Sequence, residues 1–431
     1  MNTILVKDRS NISGFHLAAF LVFNITVIWL ISYWPPPLGG TGVAPSPDVA
    51  LNTLTMHAWE DSWWPMGEAL AYLRSGDVPP VYTELLTNQG IKFQYPLASL
   101  IPFSWLEALA DATGIDFMRL MAAIGWIWLA SMIACCGALM FRLLPVSTRA
   151  AIGLSALAVL TYYPITRGYT IGQIQIWINA LFTGAVLSWL ASKKHLAGLL
   201  IGLCASIKPQ FAAFLLWGAV RREWGFVAAC ATTGAIGVLA SVAIFGLAHN
   251  LDYFNALSLL SERGEGFFPN HSVNGILNRF VGIAEPDLIN NLKWSNGFPP
   301  YRPLVYFGTM LASFILIGTV LMRRSSDGLV DFCAFALAAT MASPIAWEHH
   351  YGILLPIYIV AVARFGKNPS ALAILAVSYI MTANFWPAVD YLAATHLNFV
   401  QAYVFWGALL LYGLMLYRPV EPRTGGACEI Q

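Results

Sequence analysis

Ten apolar runs, each long enough or almost long enough to cross a bilayer, constrain the fold of this 431-residue chain. They fall at about 15–34, 117–141, 150–165, 172–191, 224–248, 303–322, 328–342, 349–363, 370–386 and 399–417. A helix needs roughly 20 apolar residues to span the hydrocarbon core. Only 10% of the residues are charged, whereas a soluble domain has about 25%. The sequence therefore predicts an all-α polytopic membrane protein, and a net charge of +1 gives no support for a nucleic-acid partner.

A further stretch, 195–224, is interrupted by Lys208 and Pro209. Proline disfavours helix in the residue before it, so we expect two short segments here instead of one. This break puts the basic pairs at 193–194 and 221–222 on the same side of the membrane. We therefore expect about twelve transmembrane helices in a single integral membrane domain, 1–431, with both termini in the cytoplasm.

The distribution of Lys and Arg predicts which side each loop faces. Most basic residues of the short loops share one side, and this side is cytoplasmic by the positive-inside rule. The two long loops, about 35–116 and 249–302, are then extracytoplasmic. Both are rich in Trp, Tyr, Pro and Asn, which favours interfacial helices, one of them over 57–76. The apolar run 96–110 becomes re-entrant or interfacial, and the first run, 15–34, becomes a retained signal anchor.

The predicted outer side gathers several polar residues that are costly at a membrane boundary. They are Asp61, Gln173, Lys208, Arg263, Arg279, Glu348, His349 and His350. A carboxylate beside cations at this face suits the transfer of a sugar from a lipid phosphate. The carboxylate can deprotonate an acceptor hydroxyl while the cations stabilise the leaving phosphate.

Seven sequence elements occur along the chain in one order. They are DSWWPMGEALAYL (61–73), GDVPPVY (76–82), KFQYPLASLIPF (92–103), GQIQIWINAL (172–181), GLCASIKPQFAAFLL (202–216), NHSVNGILNRF (270–280) and SPIAWEHHYGILLP (343–356). Together they resemble the GT-C class membrane glycosyltransferases that contain the mycobacterial polyprenol-phosphate-mannose-dependent α-1,2-mannosyltransferases. The resemblance covers roughly residues 10–360.

This resemblance implies a GT-C fold, a polyprenyl-phosphate-linked sugar donor and a glycolipid or glycan acceptor, in a bacterial inner (plasma) membrane with the site on the extracytoplasmic side. It implies an inverting single displacement in which Asp61 is the general base and His349 and His350 lie near the reacting groups. The expected substrate-binding residues that lie in these elements are Lys208, Arg279, Asn270, Ser272, Asn274, Gln173, Glu348 and Tyr95. Arg263 is a further candidate, because a guanidinium group fits phosphate oxygens. Mannose is the sugar that the family favours.

The chain departs from the family pattern at four positions. Pro65 and Leu97 stand where the family usually has Tyr and Pro, and His271 replaces a Gln. Glu348 occupies a position that is often small. These differences affect the expected identity of the sugar and of the acceptor more than the expected type of reaction.

Each candidate also has a simpler interpretation. In that interpretation Asp61 is a solvated residue of an interfacial helix. Glu60 and Glu68 are the alternative candidates for the general base. Lys208 extends to the interface, and the histidines are interfacial anchors. No phosphate-binding Gly-rich loop or Asp-x-Asp motif stands out in the sequence, so we expect no soluble nucleotide-sugar site, no obligatory metal and no cofactor.

Two other functions fit parts of the sequence. Polar residues inside apolar runs, such as Asn179 and Asn384, would suit a transporter or flippase of a lipid-linked saccharide. The large outer loops and the charges on one face argue against this, because transporters place coupling groups near the membrane midplane. A ligase that moves a whole oligosaccharide would share the outer site and would differ in the mass of its product.

Overall fold

The computed structural model describes residues 12–34, 44–284, 298–323 and 325–417. Its α-helices, numbered α1 to α19, are Gly14–Phe23, Trp29–Ile31, Ser46–Leu54, Trp63–Arg74, Leu100–Thr113, Phe117–Leu143, Thr148–Thr161, Tyr163–Thr170, Gln175–Leu190, Lys194–Ile207, Ala213–Arg221, Trp224–Phe245, Leu247–Arg263, Val273–Val281, Pro303–Met322, Gly328–Met341, Leu354–Phe365, Pro369–Thr382 and Tyr403–Leu416. The described ranges contain no β-strand, only a β-bridge between Asn270 and Trp347.

Several helices are long and apolar enough to cross a membrane. Among the described residues these are Gly14–Ile31, Phe117–Leu143, Trp224–Phe245, Pro303–Met322 and Asn398–Leu416. Five more apolar helices are shorter: Thr148–Thr161, Gln175–Leu190, Lys194–Ile207, Gly328–Met341 and Pro369–Thr382. The protein is therefore an all-α membrane protein. The count of twelve stays a prediction, and the predicted cytoplasmic termini lie outside the described residues.

The helical interruption predicted at Lys208 is present. Helix α10 ends at Ile207, and Lys208 is extended with φ −133° and ψ 109°. A 3-10 helix, Pro209–Ala212, then leads into α11. Pro209 has no N–H to donate into a continuing helix, so the break follows directly from the sequence.

The predicted outer loop 1 contains regular structure. Helix α4 buries Trp63, Met66 and Leu70, while Trp59, which precedes it, is 67% exposed. The apolar run at 96–110 forms a 3-10 turn followed by α5. Asp61 lies just before α4 rather than on it. The placement of these helices at a lipid interface stays a prediction.

Helices α9 and α10 run between two distinct ends of the molecule. Helix α9 begins next to Gln173 and ends before Lys193, and α10 returns from Lys194 to Lys208. The 16 residues of α9 correspond to about 24 Å of helix. Gln173 and Lys208 therefore lie at one end of this pair, and Lys193 and Lys194 lie at the other.

Candidate functional site

A cavity of about 490 Å³ brings together part of the predicted site, including Asp61, Lys208 and the paired histidines. Its wall includes Asp61, Tyr95, Gln173, Lys208, His349 and His350, with Lys92 and Trp347 beside them. Part of the wall is apolar, formed by Leu257 and Leu260 of α13, Ile317 of α15 and Ala339 of α16. The cavity therefore combines a cluster of ionisable groups with a surface suited to hydrocarbon.

Backbone contacts with the end of α8 fix the position of Asp61. The N–H of Trp59 donates to the carbonyl of Thr170 at 2.8 Å, and the N–H of Asp61 donates to Ile171 at 2.9 Å. The segment comes this close because Gly172 has no side chain. A Cβ there would lie 1.8 Å from the Trp59 carbonyl oxygen, and its φ is +71°, a conformation that glycine adopts readily.

A hydrogen-bonded chain orients the Asp61 carboxylate. The Gln173 amide nitrogen donates to Asp61, and the Gln173 carbonyl oxygen accepts from the Ser62 hydroxyl at 2.9 Å and from the Tyr95 hydroxyl at 3.1 Å. The Ser62 and Tyr95 hydroxyls occupy the carbonyl oxygen of Gln173, so the amide N–H of Gln173 points to the Asp61 carboxylate. Gln173 and Tyr95 are both predicted to bind substrate, and both line the cavity next to Asp61.

The surroundings of Asp61 act on its pKa in opposite directions. Burial among protein atoms raises the pKa of this carboxyl above 3.8, and the Gln173 hydrogen bond and nearby cations oppose the rise. The cations are Arg167, Lys92 and Lys208. The side chain nevertheless exposes surface, because it faces the open cavity. Asp61 is thus a desolvated carboxylate that a small molecule can reach.

The cations around Asp61 differ in their partners. The Lys92 ammonium pairs with Glu265 at 2.6 Å, and Arg167 pairs with Glu348 at 3.0 Å. Lys208 is 7% exposed and hydrogen-bonds His350 Nε2. No ion pair joins Lys208 to a carboxylate in the described part of the chain. An anion in the cavity could therefore contact Lys208 without displacing an ion-paired carboxylate.

The paired histidines face different directions. The rings of His349 and His350 are 4.7 Å apart between centroids and nearly perpendicular at 84°. His350 contacts Lys208, whereas His349 lies 5.9 Å from the Trp347 ring. Both line the cavity, but Glu348 does not. Its carboxylate is turned to Arg167, so the structure places Glu348 behind the wall instead of in it.

Polar residues of the 270–280 element form hydrogen bonds with the segment that precedes His349 and His350. Asn270 donates to the carbonyls of Glu265 and Pro344 at 2.6 and 3.0 Å, and it accepts from the Ala346 N–H at 2.9 Å. Ser272 donates to Pro344 at 2.9 Å. The structure does not place Asn270, Ser272 or Asn274 in the cavity wall, because protein groups surround each of them completely.

The two arginines predicted to bind substrate also lie away from the cavity. Arg279 is fully buried, and its Nη1 donates to the carbonyls of Phe267 and Asn270 at 3.3 and 3.1 Å. Arg263 ends α13, and its carbonyl accepts from Asn278 at 3.1 Å. Neither side chain belongs to the cavity wall, so a direct contact with substrate would require the surrounding loop to move.

Sequence reasoning missed four residues of this region. Lys92 and Trp347 line the cavity, and both bind the buried Glu265, the indole N–H of Trp347 at 2.6 Å. Arg167 contributes its charge from α8. A signal did exist for Arg167, because it is an isolated charge between two apolar runs on the predicted outer side. Glu265 and Trp347 carried no comparable signal.

Comparison with known proteins gives a family and three distant relatives. A family model described as Glycosyltransferase family 87 matches residues 93–346. A polyprenol-phosphate-mannose-dependent alpha-(1-2)-phosphatidylinositol mannoside mannosyltransferase of Mycolicibacterium smegmatis is 25% identical over 66% of each chain. The protein with the same name from Mycobacterium tuberculosis is 24% identical over 70% of this chain and 69% of its own.

The third relative is a polyprenol-phosphate-mannose-dependent alpha-(1-2)-phosphatidylinositol pentamannoside mannosyltransferase of M. smegmatis. It is 26% identical over 64% of this chain and 62% of its own. The chain thus spans about two thirds of the length of these relatives. No solved structure matches it significantly.

Proposed function

The chain belongs to glycosyltransferase family 87, and from this premise we propose that it transfers a single sugar, mannose, from a polyprenyl-phosphate donor to a hydroxyl of a glycolipid. The observation that carries the proposal is the single cavity lined by Asp61, Lys208, His349 and His350. The relatives are named for a polyprenol-phosphate-mannose donor and a phosphatidylinositol mannoside acceptor, which supports both substrate classes.

The reaction is an inverting single displacement. Asp61 takes the proton of the acceptor hydroxyl as its oxygen forms a bond to the anomeric carbon of the donor sugar. The bond between that carbon and the phosphate oxygen breaks at the same time, and polyprenyl phosphate leaves with the electron pair. Gln173 holds the carboxylate toward the cavity, so the base is oriented before the acceptor arrives.

The leaving phosphate binds at the Lys208 side of the cavity. Lys208 and His350 are joined there, and positive charge at the phosphate stabilises the negative charge that develops as the bond breaks. The apolar wall formed by α13, α15 and α16 accommodates the first isoprene units of the lipid. We place the site at the extracytoplasmic face, as the charge distribution of the loops predicts.

Replacement of Asp61 tests this function. Purified protein is supplied with polyprenyl-phosphate mannose and a phosphatidylinositol mannoside, and the product is measured by mass spectrometry. We expect one added hexose with the wild type and at least a 100-fold lower rate with Asp61→Asn, since general base catalysis contributes about 10²–10⁴-fold.

The neighbours of Asp61 provide matched controls. Glu60→Gln and Glu68→Gln remove exposed carboxylates on the same segment and should retain transfer. Wild-type activity in Asp61→Asn would overturn the assignment of the base. A product that gains a whole oligosaccharide would replace the proposal with a ligase, and saccharide exchange without any product would replace it with a transporter.

A further inference from the structure

A buried ion pair joins the two elements that carry the proposed base and the histidines. Arg167 Nε lies 3.0 Å from Glu348 Oε1, and the two side chains are 15% and 2% exposed. Arg167 belongs to α8, whose last residue, Thr170, holds the segment of Asp61. Glu348 immediately precedes His349.

The two elements are also in direct contact beside this pair. A Cβ added at Gly168 of α8 would lie 3.3 Å from the His349 Cβ. The backbone N–H of Glu348 is fixed from the other side by the carbonyl of Pro269 at 3.1 Å. The Arg167–Glu348 pair therefore lies where α8, which holds the segment of Asp61, contacts the segment of His349. A shift of one segment would displace the other.

A buried ion pair is a poor source of stability, because desolvation of two charges offsets most of their attraction. The position of the Arg167–Glu348 pair is better explained if the pair places charge near Asp61. Ile171 links Arg167 to Asp61 through the backbone, because its N–H donates to the Arg167 carbonyl at 3.0 Å and its carbonyl accepts from the Asp61 N–H at 2.9 Å. The Arg167 charge also acts on the Asp61 carboxyl, yet neither Arg167 nor Glu348 lines the cavity. Neither side chain contacts the cavity, so the pair can act on a bound substrate through its charge or through the residues that line the cavity.

We propose that Arg167 and Glu348 are positioning residues that set the basicity of Asp61. Arg167 presents positive charge to the Asp61 carboxylate from behind the cavity wall, and Glu348 cancels part of that charge. The proposal rests on the proposed function, in which Asp61 is the general base. It assigns a use to Glu348 in this chain, at a position where the related family often has a small residue.

Several other groups surround Asp61, and the proposal concerns the balance among them. Lys92, whose charge is offset by Glu265, approaches from the 92–95 segment, and Lys208 approaches from the helix break. Gln173 donates a hydrogen bond, and Tyr95 lies beside it. His349 and His350 face the same cavity. None of these is altered in the test, so a change in pH dependence reports on the pair.

The sign of each effect follows from Coulomb's law. Arg167→Gln removes the cation and leaves Glu348 uncompensated, so the pKa of Asp61 rises and the acidic limb of kcat/KM moves to higher pH. Glu348→Gln removes a negative charge beside Arg167, so the pKa of Asp61 falls and the limb moves to lower pH. Each shift should be on the order of one pH unit.

The double variant separates this charge effect from a structural one. Arg167→Gln combined with Glu348→Gln leaves no unpaired buried charge, so it should fold even where a single variant does not. Its acidic limb should lie between those of the two single variants. Arg167→Lys keeps the charge and should keep the limb close to that of the wild type, although its geometry differs.

A surface ion pair is the matched control. Arg74 and Glu107 pair on the surface, with side chains 55% and 31% exposed, and Arg74→Gln should leave the limb where it is. Single variants that shift in the same direction, or a double variant outside their range, would overturn the proposal. Failure of the proposed function looks different, because Asp61→Asn would then retain transfer and its acidic limb.

Discussion

Lys208 is the cation of the described cavity wall that forms no direct ion pair with a carboxylate, although it lies near enough to Asp61 for their charges to interact. Lys92 and Arg167 each have a glutamate partner, whereas Lys208 has the imidazole of His350. A buried ammonium without a counter-ion is expensive. The presence of Lys208 here is explained if the substrate supplies the counter-ion, as the phosphate of the donor lipid.

Replacement of Lys208 should therefore weaken donor use while the acceptor is little affected. A hydrogen bond to a charged group contributes about 1.5–3 kcal/mol, so Lys208→Gln should lower kcat/KM for the donor roughly 10- to 100-fold. Initial rates at varied donor concentration measure this. Lys193→Gln, at the other end of α10, is the control. An unchanged donor kcat/KM in Lys208→Gln would contradict the assignment.

At the scale of elements, the turn at Gly172 couples α8 to the segment of Asp61. A Cβ at this position would lie 1.8 Å from the carbonyl oxygen of Trp59, so alanine can enter only if the two segments separate. The positive φ adds strain of about 1–3 kcal/mol for a residue other than glycine. The hydrogen bonds that hold residues 59–62 against α8 would lengthen or break.

We expect Gly172→Ala to lose most of its transfer activity and to unfold at a lower temperature in detergent, while its helix content stays that of the wild type. Thermal unfolding followed by circular dichroism and the transfer assay measure these effects. Gly153→Ala is the control, since a Cβ there meets nothing within 4 Å inside α7. Full activity in Gly172→Ala would show that Asp61 does not depend on this turn.

The sequence predicted local features of the site better than distant ones. The break at Lys208 follows from the next residue, Pro209, and the helix Trp63–Arg74 falls within the predicted interfacial segment. The predicted topology placed Asp61, Lys208 and the histidines on one side of the membrane, and their side chains line one cavity; the roles assigned to them stay predictions.

Partners far apart in sequence were not predictable in the same way. Asn270 was expected to bind substrate because it is polar and lies in a family motif, but its amide is used by Glu265, Pro344 and Ala346. Arg167 and Glu348 are 181 positions apart. A single sequence shows that a side chain can form hydrogen bonds or ion pairs, but the packing of distant helices decides which partner it meets.

At the scale of the whole molecule, the cavity and the basic loops occupy opposite ends of the same helices. Helix α16 runs from the region of Asp327 to Ala342 in the cavity wall, and α17 runs from the histidines back to Arg364. Arg364 pairs with Asp327 at 2.5 Å, so the ends of α16 and α17 that lie away from the cavity are in contact. The cytoplasmic position of the far end and the extracytoplasmic position of the cavity stay predictions from the charges of the loops.

Cysteine labelling in intact cells tests this orientation. Glu60→Cys places a thiol on an exposed position beside Asp61, and Lys193→Cys places one on an exposed position at the far end of α9. A membrane-impermeant maleimide should label Glu60→Cys directly and Lys193→Cys only after permeabilisation, with the unsubstituted protein as the control for native cysteines. The reverse pattern would place the cavity on the cytoplasmic side, where the donor lipid would have to present its sugar to the opposite leaflet. That result would contradict the extracytoplasmic location of the reaction but not the role of Asp61 as the general base. The labelling therefore tests the membrane side of sugar transfer independently of its mechanism.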